Sequence, residues 1–185
     1  YGPVKRKPRQ MTPSQLASVA ALQAVADARA VPRCVLQRGK ANMFLDGNPI
    51  VYGGAIERVE LNANGDRLAT GDAVVVVDHA GGVVCWGTYN PKSMYRVRAL
   101  QSAWETTVAT TEDGRVAAVC DVPLRIGPLE LNISFVAAAD GATCVAKSDG
   151  DAGVALETCA ELLGLDSGDA LGRAFITRNI ETRGA

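Results

Sequence analysis

Gly47-Asn48-Pro49-Ile50-Val51-Tyr52-Gly53-Gly54-Ala55-Ile56-Glu57-Arg58, with Gly71-Asp72 and Gly87-Thr88-Tyr89-Asn90-Pro91-Lys92-Ser93-Met94-Tyr95-Arg96-Val97-Arg98 further on, is the stretch that decides the fold. Pro49 biases Asn48 away from helix, and Ile50-Val51-Tyr52 continues as an extended piece. Gly53-Gly54 then allows a bulge or a close backbone approach before a strand over 55–59. Val74 to Val77 is a β-branched run of the kind found in strands buried on both faces. His79-Ala80-Gly81-Gly82 is a turn, and Val83 to Tyr89 pairs back as a hairpin. Asn90-Pro91 breaks the ladder, after which Tyr95, Val97 and Ala99 alternate with Arg96, Arg98 and Leu100. Upstream, Cys34-Val35-Leu36 supplies a first short strand, and 38–45 a short helix closed by Gly47 at a position free to take positive φ. Several short strands within about 70 residues predict a small barrel rather than a parallel sheet.

These segments resemble a PUA domain, the small RNA-binding barrel named after pseudouridine synthases and archaeosine transglycosylases. More narrowly, they resemble the version at the N-terminus of the rRNA large-subunit methyltransferase I family, S-adenosylmethionine-dependent enzymes that make 5-methylcytosine in 23S-type rRNA. That family's His-Pro-Trp-Val-Phe-Ser-Gly-Ala-Ile-like segment is matched by Asn48 to Ile56, its Gly-Asp-Xaa-Val strand start by Gly71 to Val74, and its Gly-Xaa-Tyr-Asn-Pro-Xaa-Ser segment by Gly87 to Ser93. Asn48 and Ile50 stand where the family usually has His and Trp. The resemblance covers residues 33–100.

A methyltransferase of that family also needs a Rossmann-like domain: a Gly-rich loop for the cofactor, an acidic residue on its ribose, and cysteine nucleophiles in Asp-Pro-Pro and Ser-Cys-Ser loops. These 185 residues contain none of them. Ser148-Asp149-Gly150-Asp151-Ala152-Gly153 has the wrong spacing for a phosphate loop and lacks the ligand series of a calcium loop, so it reads as an acidic turn. A Cys85–His79 dyad has no motif behind it, and Cys85 lies in an apolar strand. The expectation is a non-enzymatic chain with no catalytic residue, no metal and no cofactor.

Around the barrel, residues 1–11 have no apolar periodicity and contain Pro3 and Pro8, the pattern of an extended basic tail. Thr12-Pro13-Ser14-Gln15 reads as a capping box with Pro at the first helical position, opening an Ala-rich helix that Pro32 stops, within 12–32. Residues 101–185 read as a second small α+β lobe. Its strands are expected over 104–111, 115–122, 129–137 and 142–146, with 125–128 a loop, and its helices over 153–163 and from Ser167 or Asp169 toward Ile176 and Ile180. The fold class is therefore α+β, mainly β.

Net charge is −1, but residues 1–40 hold Lys5, Arg6, Lys7, Arg9, Arg29, Arg33, Arg38 and Lys40 against Asp27 alone, while 112–170 is mostly acidic. Such asymmetry points to a polyanionic partner for the basic part. The RNA-binding candidates are Lys5, Arg6, Lys7 and Arg9 on the tail, and Arg33, Arg38, Lys40, Lys92, Arg96 and Arg98 on the barrel. Tyr52, Tyr89 and Tyr95 offer rings on which unpaired bases can stack; Tyr95 is kept as the site residue, and packing is the preferred reading for Tyr52 and Tyr89. Cys34, Cys85, Cys120, Cys144 and Cys159 are odd in number and lack any CxxC spacing, which fits buried free thiols better than zinc or disulfides. Every apolar run is interrupted by charge before it reaches the length of a membrane span.

The favoured function is a non-catalytic rRNA-binding protein, an organellar ribosome component with neighbouring ribosomal proteins as partners. Processing of a transit peptide is one reading of the Tyr1 start, with the mitochondrion favoured over the plastid and a cytoplasmic location implied if Tyr1 is only a sequence boundary. The alternatives are an RNA-positioning piece of a 5-methylcytosine rRNA methyltransferase, and a protein-interaction module that uses Trp104, Phe135 and the Ala-rich helix.

Overall fold

A computed structural model of the chain describes residues 10–29, 31–110, 112–126, 129–138, 141–148 and 151–173. The first element is the Ala-rich helix α1, Pro13–Ala28, and it begins as its capping box dictates. Gln15 N–H donates to Thr12 Oγ1 (3.2 Å), and Thr12 N–H donates to Gln15 Oε1 (2.9 Å). It ends on Arg29 in the left-handed region (φ 58°).

Among the described residues ten strands follow, in the order β1 (Arg33–Leu36), α2 (Ala41–Leu45), β2 (Ile50–Tyr52), a 3-10 turn at Gly53–Ala55, β3 (Ile56–Glu60), β4 (Ala73–Val77), β5 (Val83–Tyr89), β6 (Tyr95–Ser102), β7 (Thr107–Thr110), β8 (Val116–Ile126), β9 (Leu129–Ala138), β10 (Gly141–Lys147) and helix α3 (Asp151–Leu162). They form a six-stranded sheet, β2-β6-β5-β4-β1-β3, curled into a half-barrel, and a four-stranded antiparallel sheet, β10-β9-β8-β7. The mixed, strand-rich fold and the curled sheet are those expected. One pair in the half-barrel, β1 with β4, is parallel.

The differences from expectation lie beyond residue 100, where the strand expected over 104–111 is β7 from Thr107 to Thr110 and 104–106 are not strand. Arg125 and Ile126, expected in a loop, lie in β8, because the β8–β9 ladder runs on to the pair Ile126↔Leu129. The helix expected from Ser167 or Asp169 toward Ile176 and Ile180 is helical from 168 to 173, and the remainder lies outside the described residues, as do 149 and 150 of the expected acidic turn, whose Asp151 to Gly153 instead open α3.

The half-barrel interior is filled by Cys34, Leu36, Val51, Val74, Val76, Cys85 and Val97, with Phe44 of α2 as a plug. The opposite face of the same strands presents Val35, Val75, Val77 and Trp86. These pack into one cluster with Leu22 and Val25 of α1, Ala118, Leu131 and Ile133 of the second sheet, and Leu156 of α3. Helix α1 is therefore the shared wall between the sheets, burying Ser18, Leu22, Val25 and Ala26. Two polar contacts fix its placement. Gln23 donates to Gly81 O (3.0 Å) and accepts from Val83 N–H (3.1 Å), while Ser18 Oγ, buried, donates to Thr106 O at 2.7 Å. Buried polar atoms paired in this way hold α1 in one register against both sheets.

Candidate nucleic-acid interface

The outermost strands of the curled sheet, β2 and β3, are consecutive in sequence, so the 3-10 turn at 53–55 is where the two edges approach. Two further segments are tied to it by backbone hydrogen bonds. Gly53 N–H donates to Met94 O (2.8 Å), and Gln37 N–H donates to Ala55 O (2.9 Å). The β1–α2 loop and the β5–β6 turn are thereby held at one seam. Asn90-Pro91-Lys92-Ser93 has the turn chemistry for this: Asn90 Oδ1 accepts from Lys92 N–H (3.0 Å), and Ser93 Oγ from Tyr95 N–H (3.1 Å).

On this frame Tyr52 and Tyr95 face each other across β2 and β6 with ring centroids 5.5 Å apart and planes at 72°, an edge-to-face pair. Tyr52 remains 39% exposed and Met94, whose carbonyl accepts from Gly53, 68% exposed, whereas Tyr89 is buried in the half-barrel. Arg96 Nε donates to Ser93 O (3.1 Å), and its guanidinium lies against the Gly53 backbone.

Arg98 departs from the expectation that it belongs to the cationic surface. It is fully buried, because the register sets it between Ile50 on β2 and Thr88 on β5, both buried themselves. Its Nη2 donates to Ser93 Oγ at 3.3 Å. Arg98 thus braces the β5–β6 turn from inside.

The remaining cations divide by what they meet. Arg33 binds Glu60 through Nη2 (2.5 Å) and Nε (3.1 Å), with Arg58 and Arg29 at 3.6 and 3.9 Å from the same carboxylate. The hydrogen bond from Arg33 is the main cause that holds the Glu60 carboxyl below its usual range. Desolvation opposes it, and the charges of Arg33, Arg29 and Arg58 add to it. Arg58 also meets Glu57 (2.9 Å), which lies 3.3 Å from His79 Nδ1. Arg33 is therefore committed to a carboxylate and half-buried. Arg38, Lys40 and Lys92 are exposed and Arg96 is half-buried, and among the described residues no carboxylate lies within ion-pair distance of any of the four. All four sit on segments joined at the seam. Lys5, Arg6, Lys7 and Arg9 lie outside the described residues.

The Cys85–His79 pairing finds no support in this arrangement. Cys85 is buried in the half-barrel, and burial pushes its thiol up to about 12, the opposite of what a nucleophile needs. No group of three or more His, Cys, Asp or Glu that could hold a metal occurs among the described residues, and no described helix is long and apolar enough to cross a membrane.

The barrel-forming region, from the third residue of β1 to the last of β6, matches the family model of a PUA-like domain over residues 35–102. Residues 35–102 form a PUA-like domain. A 67-residue stretch is 36% identical to proteins named ribosomal RNA large subunit methyltransferase I from Salmonella arizonae, Salmonella newport and Salmonella agona. That stretch covers 36% of this chain and 15% of each relative's length. The likeness thus covers a small part of those proteins.

The whole seam lies inside the PUA-like domain. Sequence reading singles out Tyr95, Arg96, Lys92, Arg38 and Lys40, and the fold brings the segments carrying them together. Sequence reading does not single out Met94, and for Tyr52 it prefers packing over stacking. A signal for Tyr52 exists in the two Tyr-containing strand ends, Ile50-Val51-Tyr52 and Tyr95-Arg96-Val97, which antiparallel pairing sets opposite each other.

Proposed function

We propose that this chain is an RNA-binding protein that contacts RNA through the seam of its PUA-like domain, and that it contributes binding rather than methyl transfer. The observation that carries the reading is the division of the cations. Arg29, Arg33 and Arg58 meet carboxylates along β3, whereas Arg38, Lys40, Lys92 and Arg96 meet none among the described residues and sit on the segments joined at the seam, which also carries the partly exposed Tyr52. Cations without carboxylates supply the salt-dependent affinity of phosphate binding, and an exposed ring supplies sequence-tolerant stacking.

The matched relatives are named for ribosomal RNA, and that supports rRNA as the ligand class. The basic, acid-free composition of residues 1–11 supports a second contact along the same polyanion. We place the protein on an organellar ribosome, beside other ribosomal proteins, with the mitochondrion favoured and the plastid as the other compartment. A second reading has its own support. The match covers only 15% of the relatives' length, which also suits a piece that positions RNA for a methyltransferase domain.

Sedimentation of the native protein through a sucrose gradient, with and without ribonuclease, tests this. Stoichiometric, ribonuclease-sensitive co-migration with a mature ribosomal subunit is expected. Substoichiometric association confined to precursor particles would favour the methyltransferase reading, and slow migration indifferent to ribonuclease would overturn RNA binding.

A further inference from the structure

The seam carries more than a cationic surface, and its finer role rests on the RNA-binding function proposed above. We propose that it is a subsite for one unpaired nucleotide, whose base stacks on Tyr52 beside Met94 and whose phosphate is taken by Arg96. Tyr52 is the ring for this role because its edge-to-face contact with Tyr95 (5.5 Å, 72°) fixes its orientation while 39% of it stays exposed. A ring oriented in advance loses little freedom when a base arrives. Tyr89, by contrast, is 7% exposed and is a core residue.

Met94, 68% exposed, is tied by its carbonyl to Gly53, the residue after Tyr52, and supplies a polarizable thioether for the base. Arg96 is also positioned in advance. Ser93 O accepts from its Nε, and Gly53 leaves room for its guanidinium where any side chain would intrude, an added Cβ meeting Nη2 at 3.0 Å. A planar fork so held suits two oxygens of a phosphate.

This arrangement discriminates between forms of RNA. In an A-form duplex the faces of the bases are occupied by their neighbours, and only edges, 2′-hydroxyls and phosphates are on offer. Tyr52 can add affinity only for a nucleotide that is unstacked, in a loop, a bulge or a single strand.

The test is fluorescence anisotropy of the full chain, at one fixed salt concentration, with a single-stranded RNA oligomer, with the same oligomer carrying an abasic ribose at each position in turn, and with a perfectly paired duplex. Tyr52→Ala is expected to weaken single-strand binding on the order of ten-fold, the size of one base–aromatic stack, and to leave duplex binding unchanged. Tyr52→Trp is expected to retain binding and serves as the folded control. One abasic position is expected to reproduce the loss in the unaltered protein and to make Tyr52→Ala silent. Equal weakening of single strand and duplex by Tyr52→Ala, or no weakening of either, overturns the subsite. The paired substitution Lys40→Glu and Lys92→Glu reports on the underlying reading. If it leaves both RNAs bound as before, RNA binding at the seam itself fails; if it weakens both while Tyr52→Ala does nothing, only the subsite fails.

Discussion

Arg96 occupies the space that a side chain at position 53 would need: a Cβ built on Gly53 meets Arg96 Nη2 at 3.0 Å and Cζ at 3.3 Å. The atoms in the way are the far end of a flexible side chain, so Gly53→Ala is tolerated by the fold. The loss of chain freedom in the unfolded state offsets the push on Arg96, and the net stability change stays within about 1 kcal/mol. The guanidinium is displaced from its shelf, and RNA affinity falls several-fold. Denaturant unfolding and anisotropy on the same variant separate the two effects, and unchanged affinity with a displaced Arg96 would remove Arg96 from the interface.

Gly87 behaves in the opposite way. It lies at the β5–β6 bulge, where an added Cβ would sit 1.9 Å from Arg98 O and 2.7 Å from its carbonyl carbon. Backbone cannot step aside as a side chain can. Gly87→Ala separates β6 from β5 and costs about 3 kcal/mol or more, read as a large drop in the denaturation midpoint or as loss of soluble protein.

Arg33→Gln removes the main support of the Glu60 carboxylate. Glu60 titrates below its unfolded value, so its contribution is present above the ordinary pKa of 4.5 and is lost as pH falls through the lower, folded value. The variant is therefore less stable than the parent at neutral pH, on the order of 1 kcal/mol for a partly exposed pair. The gap closes as pH drops below that window. Denaturation at a series of pH values checks the sign, and because Arg33 is already paired, RNA affinity changes far less than for Lys40→Glu and Lys92→Glu.

The basic tail is tested by replacing Lys5, Arg6, Lys7 and Arg9 together with Gln. Each phosphate of a single strand that the tail no longer neutralises flattens the log–log salt dependence by roughly 0.7. A shallower slope and weaker binding are expected, and an unchanged slope removes the tail from the interface.

The half-barrel is legible in the sequence because its signals are local. The Val74–Val77 run, the His79–Gly82 turn and Asn90-Pro91 each declare their conformation within a few residues, and the capping box at Thr12 does the same for α1. The features that sequence leaves open are set by pairing across the sheet. Tyr95, Arg96 and Arg98 are near neighbours on one strand with the same claim to the surface in sequence. Only the opposing residues, Ile50 and Thr88 for Arg98 but Tyr52 for Tyr95, decide which is buried. The same holds for Arg33, whose carboxylate partner Glu60 is 27 residues away in sequence and directly opposite in the sheet. A core shared by α1 and both sheets is likewise a matter of packing, since Leu22 and Ile133 carry nothing in sequence that announces their common cluster.

Cys34 and Cys85 point into the half-barrel on β1 and β5, each paired with Val76 of the intervening strand β4. Burial pushes both thiols from 9.0 up to about 12, opposed at Cys34 by the charge of Arg96 and reinforced at Cys85 by Cys34. The folded state therefore holds these protons through a pH range in which the unfolded chain releases them. Stability from the neutral thiols is intact below the unfolded value of 9.0 and is lost as pH rises from there toward the folded value. The slope is at most about 1.4 kcal/mol per pH unit for each thiol. Denaturation between neutral pH and the alkaline range should show this decline, and Cys34→Ala with Cys85→Ala should flatten it while lowering stability at neutral pH through the cavities left behind. Alkylation supplies the independent check. Among the cysteines whose side chains are described, the half-buried Cys159 reacts first in the folded protein, and Cys34 and Cys85 become reactive only at the rate of unfolding. Rapid labelling of Cys34 or Cys85 under native conditions would mean that the half-barrel opens at its seam far more readily than its packing implies.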